Sequence, residues 1–182
     1  MEYVLDANGN QCTYLDGELH SYNDEPALIT IDGSQCWYEN GKRHRDNGPA
    51  VIGDDGSQYW YHDDKLHRDN DEPAITYANG YKAWYQNNKC HRDNDLPAII
   101  YANGNQEWWV NNKCHREAKD ESPVGPAKTY VNGGKRWYKN GKRHRDDGPA
   151  VIYTNRKAEW WIDGVKIKEC DNYQPKVKSA RN

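Results

Sequence analysis

The stretch that decides the fold is HRDNGPAVIGDDGSQYWYHDDKLHRD, residues 44–69, because it ends on the phrase with which it began. HRDNGPAVI at His44–Ile52 returns as HRDDGPAVI at His144–Ile152. HRDNDEPAI at His67–Ile75 and HRDNDLPAI at His91–Ile99 lie between them. A looser copy, HSYNDEPAL, starts at His20, and a longer one, HREAKDESPVGPA, starts at His115. Self-similarity at a fixed period marks a repeat architecture, in which each unit buries its apolar face on the next. The units run about 1–25, 26–48, 49–72, 73–96, 97–125, 126–148 and 149–170, followed by a basic tail, 171–182. The first unit has Thr13 where others have Trp, and the last lacks His-Arg, as terminal caps would. His62 alone among the histidines falls outside the series.

Within a unit the punctuation is that of β-hairpins. Short runs rich in Ile, Val, Tyr and Trp are bounded by Asp-Gly or Asn-Gly, and a proline interrupts every unit from the second onward. Helical periodicity is missing. We therefore expect an all-β, elongated antiparallel sheet or solenoid of about seven two-stranded hairpins. The first strand of a unit follows the Pro, as in Ala50–Gly53, and the second carries the aromatic pair, as in Gln58–Tyr61. About fourteen strands at roughly 4.8 Å each would extend on the order of 65 Å if the sheet stays open.

Composition limits the core. Leu, Ile and Val together number 23 of 182 residues and Phe is absent, but there are 8 Trp and 14 Tyr, so aromatic packing must hold the chain. No run approaches the roughly 20 apolar residues of a transmembrane helix. The start MEYVLDANGNQ is polar within six residues, no N-x-S/T sequon occurs, and five cysteines cannot all pair within one chain. These features point to a reducing, cytoplasmic setting. Residues 1–91 carry a net charge of -9 and residues 92–182 carry +6. That asymmetry suits electrostatic attraction of a partner, homodimerisation or head-to-tail self-association.

The turns carry a family resemblance. Asn40-Gly41-Lys42-Arg43-His44 and Asn140-Gly141-Lys142-Arg143-His144, with the Asp-Gly or Asn-Gly turns at 32–33, 55–56, 79–80, 103–104 and 132–133, resemble the MORN repeat. The Arg-Asp-Asn-Gly-Pro-Ala step that follows the histidine is similar to a subtype in proteins of large DNA viruses and tailed phages. The resemblance implies a β-hairpin array that scaffolds or binds proteins, and a viral or phage protein acting on a factor in the host cytoplasm. Some members of the family are linked to acidic lipids.

Repetition turns each motif position into a row. Trp37, Trp60, Trp84, Trp108, Trp137 and Trp160 should line one face, and Tyr14, Tyr38, Tyr61, Tyr85, Trp109, Tyr138 and Trp161 the other. One aromatic row must be core. An open sheet would leave the other partly exposed, and the Trp row is the expected protein-binding strip. Arg45, Arg68, Arg92, Arg116 and Arg145 recur, each followed by an acid, and are expected to form charge ladders between neighbouring units. The alternative is an anion or acidic-lipid site at the basic end, from Lys135, Arg136, Lys142, Arg143 and Arg145, with nucleic acid a less favoured partner. Lys176, Lys178 and Arg181 of the tail would add to that charge.

No catalytic group, cofactor or metal is expected. Equivalent residues of adjacent units lie two strands apart, about 9.5 Å, too far to share an ion. That distance separates Cys90-His91 from Cys114-His115. No Walker motif or nucleophile elbow occurs. The insertion at 117–125 in the fifth unit is a candidate binding loop.

Overall fold

A computed structural model describes residues 3–116 and 124–175. It is all-β, with no helix among the described residues. A 15-stranded antiparallel sheet takes two strands from each unit in chain order. In the unit that opens at Pro49, Val51–Ile52 pairs with Gln58–Tyr59 across the Asp55-Gly56 turn. Gln58–Tyr59 then pairs with Ile75–Thr76 of the next unit. Neighbours in sequence are thus neighbours in the sheet.

The unit is more divided than its sequence suggests. A single aromatic strand over Gln58–Tyr61 is expected, but the chain breaks at Trp60. Tyr61–His62 leaves the large sheet and forms a second hairpin with Lys65–Leu66. The two halves of the strand have different partners. The Trp60 amide donates to the Ala74 carbonyl of the next unit (2.8 Å), while the Trp60 carbonyl accepts from the amide of His67 in its own unit (3.0 Å). The same latch recurs as Trp37–Ala50, Trp84–Ala98, Trp108–Ala127 and Trp137–Ala150, each at 2.8 Å. The alanines are fully buried, so a larger side chain has no room at the latch.

The last unit supplies the control. Its strand runs as one element over Ala158–Ile162 and pairs with Val165–Cys170, with a register shift between Trp160 and Trp161 where the other units break. That closing strand is the fifteenth. Its exposed Lys166, Lys168 and Glu169 blunt the free edge against further pairing. At the other end Thr13 substitutes for the latch Trp. Its amide donates to the Ala27 carbonyl (2.8 Å) and its hydroxyl to the His20 carbonyl (2.7 Å).

The small hairpins stack on one another. In each after the first, the second turn residue donates its amide to the preceding unit, as in Gly41 to Leu19, Asp64 to Arg43, Asn88 to Leu66 and Asn112 to Cys90, at 2.9–3.0 Å. The turns need left-handed backbone (φ 48° at Asn40 and 74° at Gly41), which explains the Asn, Asp and Gly that fill them.

The core is a thin seam. One row of the large sheet reads Leu28, Cys36, Val51, Tyr59, Ile75, Ala83, Ile99, each directly opposite the next. Ile75, Ala83, Cys90, Ala98 and Ile99 form its buried centre, with Tyr59, Leu66, Tyr81, Tyr85, Tyr101 and Trp109 packed around it. Beyond Ile99 the same row becomes charged: Glu107, Lys128, Arg136, then Val151 and Glu159. Glu107 and Lys128 pair at 2.9 Å, and the Glu107 carboxylate also accepts from the Trp109 indole. The pair spares the buried Glu107 the cost of an isolated charge.

Candidate functional site

The tryptophans are held from three sides. Trp37, Trp84, Trp108 and Trp137 are buried, and Trp60 and Trp160 are half-buried. An arginine of the same unit stacks on each of the first five. The guanidinium carbons of Arg45, Arg68, Arg92, Arg116 and Arg145 lie 3.7–4.1 Å from the ring centroids of Trp37, Trp60, Trp84, Trp108 and Trp137. A cation over a desolvated ring contributes on the order of 1–2 kcal/mol. Each arginine also donates to the proline carbonyl that closes its own loop, at 3.2–3.4 Å. Five of the six rings in the Trp row, expected as a contact strip, are therefore covered by guanidinium groups, and the half-buried Trp160 lies under Lys168 Nζ at 4.8 Å.

Loop length decides the third contact. Where four or more residues separate Arg (or Ser21) from Pro, the preceding loop offers a carbonyl to the indole N–H. Trp37 donates to Asp24, Trp84 to Asp71, Trp108 to Asp95 and Trp137 to Val124, at 2.8–3.0 Å. In three of these loops an Asn-Asp pair takes left-handed φ, at 23–24, 70–71 and 94–95. The same aspartates receive forked hydrogen bonds from the next unit: Arg45 to Asp24, Arg92 to Asp71 and Arg116 to Asp95, at 2.6–2.9 Å. The expected ladder between units thus forms, but on the aspartate two residues before the proline. The hydrogen bond from arginine holds the Asp24 and Asp71 carboxyls below the ordinary range. The loop Asp46-Asn47-Gly48 is one residue shorter, and the buried Nε1 of Trp60 finds no acceptor.

The acid directly after each arginine serves the histidine instead. His44, His67, His91 and His144 meet Asp46, Asp69, Asp93 and Asp146 through Nε2 at 3.0–3.1 Å. The other ring nitrogen, Nδ1, accepts a backbone N–H from the next hairpin: Asn40 to His20, Asn87 to His67, Asn140 to His115, Asp163 to His144 (3.1–3.3 Å). An Nδ1 that accepts leaves the ring proton on Nε2, where it points at the aspartate. These histidines staple one unit to the next.

Among the described residues the buried Nδ1 of His91 has no hydrogen-bond partner, and His44 departs further from that pattern. Its Nδ1 faces the Asp63 carboxylate at 3.2 Å and Glu39 at 3.7 Å. Burial opposes protonation, but the bonds to Asp46 and Asp63 and the Glu39 charge outweigh it and raise the imidazole above its ordinary value.

The basic residues at the C-terminal end do not form one cradle. Adjacent Lys135 and Arg136 face opposite sides of their strand. Arg136 lies 5.1 Å from the Tyr130 ring and Arg143 4.7 Å from the Trp161 ring, with Glu159 at 4.0 Å. Arg145 is paired with Asp147 at 2.7 Å, and Lys142 is exposed on the small hairpins. Lys135 and Arg145 do share a recess of about 830 Å³ with Trp137, Trp160 and Tyr173. Residues 117–123 of the fifth-unit insertion and 176–182 of the tail, with Lys176, Lys178 and Arg181, lie outside the described residues.

A tyrosine strip escaped the sequence reading. Tyr59, Tyr77, Tyr81 and Tyr101 form a chain of ring contacts across three units, with centroids 6.0, 4.8 and 5.7 Å apart. Tyr77 is 36% exposed, and a hydrogen bond with Tyr59 pushes its hydroxyl up to about 12. The signal was present in SQYWY, TYANGY and IYANG, but Tyr77, Tyr81 and Tyr101 flank turns and Tyr59 stands one residue ahead of the Trp row, so none belongs to the repeating aromatic pair. Cys12, Cys36, Cys90, Cys114 and Cys170 are free thiols, and burial pushes Cys90 and Cys114 up to about 12, away from nucleophilic chemistry. No family model matches this chain, and a search of curated proteins returns no significant match.

Proposed function

We propose that this protein is a non-catalytic, MORN-like repeat module that binds another protein along the tyrosine strip. One observation carries the reading: four tyrosine rings from three units form a continuous, partly exposed surface on a sheet whose backbone groups are already paired. Tyrosine offers a large, stiff, amphipathic contact area at low entropic cost, and rings that support one another are ordered before a partner arrives. The rows of titratable groups favour binding over catalysis. His, Arg and Asp side chains tie neighbouring units together at several junctions, as His67 holds Asn87 and Arg92 holds Asp71. A host factor of a virus or phage fits the resemblance of the Arg-Asp-Asn-Gly-Pro-Ala step.

Affinity capture from a cell lysate at moderate salt tests the reading, with the full chain compared to Tyr77→Ala/Tyr101→Ala. A protein retained by the parent and lost by the variant, at equal circular dichroism, supports it. Equal retention by both, or recovery of nucleic acid or lipid alone, rejects it.

A further inference from the structure

We infer that His44, His62 and Asp63 form a binding site for one divalent first-row transition ion of the zinc type, placed across the junction of the second and third units.

The argument begins with His62, the histidine outside the period. It stands on the exposed face of Tyr61–His62, one residue before the hairpin turn. The corresponding position is Glu39 in the unit before and Gln86 in the unit after. Stacking of the small hairpins brings this position against the periodic histidine of the preceding unit. The His44 and His62 rings lie 4.4 Å apart, tilted by 53°. Asp63 enters from the turn with left-handed φ and reaches both imidazoles. Oδ1 is 3.2 Å from His44 Nδ1, and Oδ2 is 3.6 Å from His62 Nδ1. Glu39 Oε2 lies 3.7 Å from the same His44 nitrogen. Among the described residues this is the one group of three such side chains whose ligating atoms converge, all within 4.8 Å.

The spacing is that of a coordination shell. Ligands about 2.0–2.1 Å from a tetrahedral zinc ion stand about 3.3–3.4 Å from one another. The Asp63 oxygens lie 3.2 and 3.6 Å from the two imidazole nitrogens, near that value, and the three ligating atoms as a set fall within 4.8 Å, so the exposed His62 ring would close in on the ion. Two imidazoles and carboxylates suit zinc and its neighbours in the first row better than magnesium or calcium, which prefer all-oxygen shells.

Charge balance supports a cation there. His44 faces carboxylate oxygens at both ring nitrogens, with Asp46 3.1 Å from Nε2. A neutral imidazole has one N–H to give, so the second carboxylate calls for either a second ring proton or a cation in its place. His144 has the same two-carboxylate setting, with Asp146 at Nε2 (3.1 Å) and Asp163 at Nδ1 (3.0 Å), but among the described residues only His44 has a second histidine and an aspartate converging beside it. Asp46 is also the partner a metal-bound histidine requires, since it holds the Nε2 proton and leaves Nδ1 free to ligate. His44 is about 10% exposed and anchors the site, whereas His62 is 63% exposed and opens it to solvent. Bound there, the ion would staple two units as the backbone contact to Nδ1 does elsewhere.

The test uses substitutions that the neighbouring units already carry. His62→Gln reproduces Gln86, and Asp63→Asn reproduces Asn87, which holds the same left-handed turn (φ 49° at both positions). The fold should therefore tolerate them. Titration of the full reduced chain with Zn²⁺ by calorimetry, and with Co²⁺ by visible absorption, should show one site that Mg²⁺ does not displace. We expect the double variant His62→Gln/Asp63→Asn to lose that site at unchanged metal-free thermal stability. Asp46→Asn should weaken it by roughly 10–100-fold. No Zn²⁺ binding by the parent, or binding that survives unchanged in the double variant, would overturn the site.

Discussion

At the residue scale the indole N–H separates tryptophans that the sequence makes equivalent. Trp84 donates to Asp71 at 2.9 Å, whereas the buried Nε1 of Trp60 has no acceptor. Both rings lie under an arginine, at 3.8 and 3.7 Å, so ring packing is similar. Replacing Trp by Phe deletes the N–H at both sites but orphans an acceptor only at Asp71. We expect Trp84→Phe to destabilise the protein by about 1 kcal/mol more than Trp60→Phe, measured as the difference in urea unfolding. Equal losses would mean that the carbonyl contact contributes nothing.

At the element scale the loop between histidine and proline sets how firmly units are joined. The long form, Arg68-Asp69-Asn70-Asp71-Glu72-Pro73, presents a carbonyl to Trp84 and a carboxylate to Arg92. The short form, Arg45-Asp46-Asn47-Gly48-Pro49, leaves Trp60 without an acceptor, and Arg68 turns to Glu72 at 3.8 Å. Replacing Asn47-Gly48 by Asn-Asp-Glu converts the short loop to the long one. The conversion should raise stability by about 1 kcal/mol or more, since it satisfies one buried donor and restores one forked ion pair. A lower thermal midpoint would show that the short loop fits its junction better. The loop pattern was legible in the residues, but its consequence was not, because the indole that each loop serves belongs to the following unit.

At the scale of the whole molecule, stability is a sum of junctions, and several junctions are carboxylate–guanidinium pairs. The folded state holds Asp24 and Asp71 below the ordinary carboxyl value, so their contribution is complete above the unfolded value of about 3.9. It is lost as pH falls below that value and through the folded one. The thermal midpoint should therefore hold near neutral pH and drop in the acid range below about pH 4. Asp71→Asn, which keeps the left-handed turn, should lower the midpoint at neutral pH and flatten the acid decline. A variant with the parent's acid profile would remove the ladder from the account. The exposed carboxylates make each rung weak on its own, so the effect belongs to the array.

What the amino-acid order established by itself was the periodic frame: an all-β array of hairpins, units near 24 residues, turns at Asn-Gly and Asp-Gly, and distinct end units. Those features are local, set by φ > 0 at turn residues, by alternation along strands and by spacing that repeats. Folding alone determined where each strand breaks, which acid meets which arginine, and which aromatic row is covered. Each depends on a partner about 20 residues away, across a junction that single-unit spacing does not describe. The argument that equivalent side chains stay about 9.5 Å apart holds for rows. His44 and His62 occupy different positions in their units, and the stacking of the small hairpins brings them within 4.4 Å.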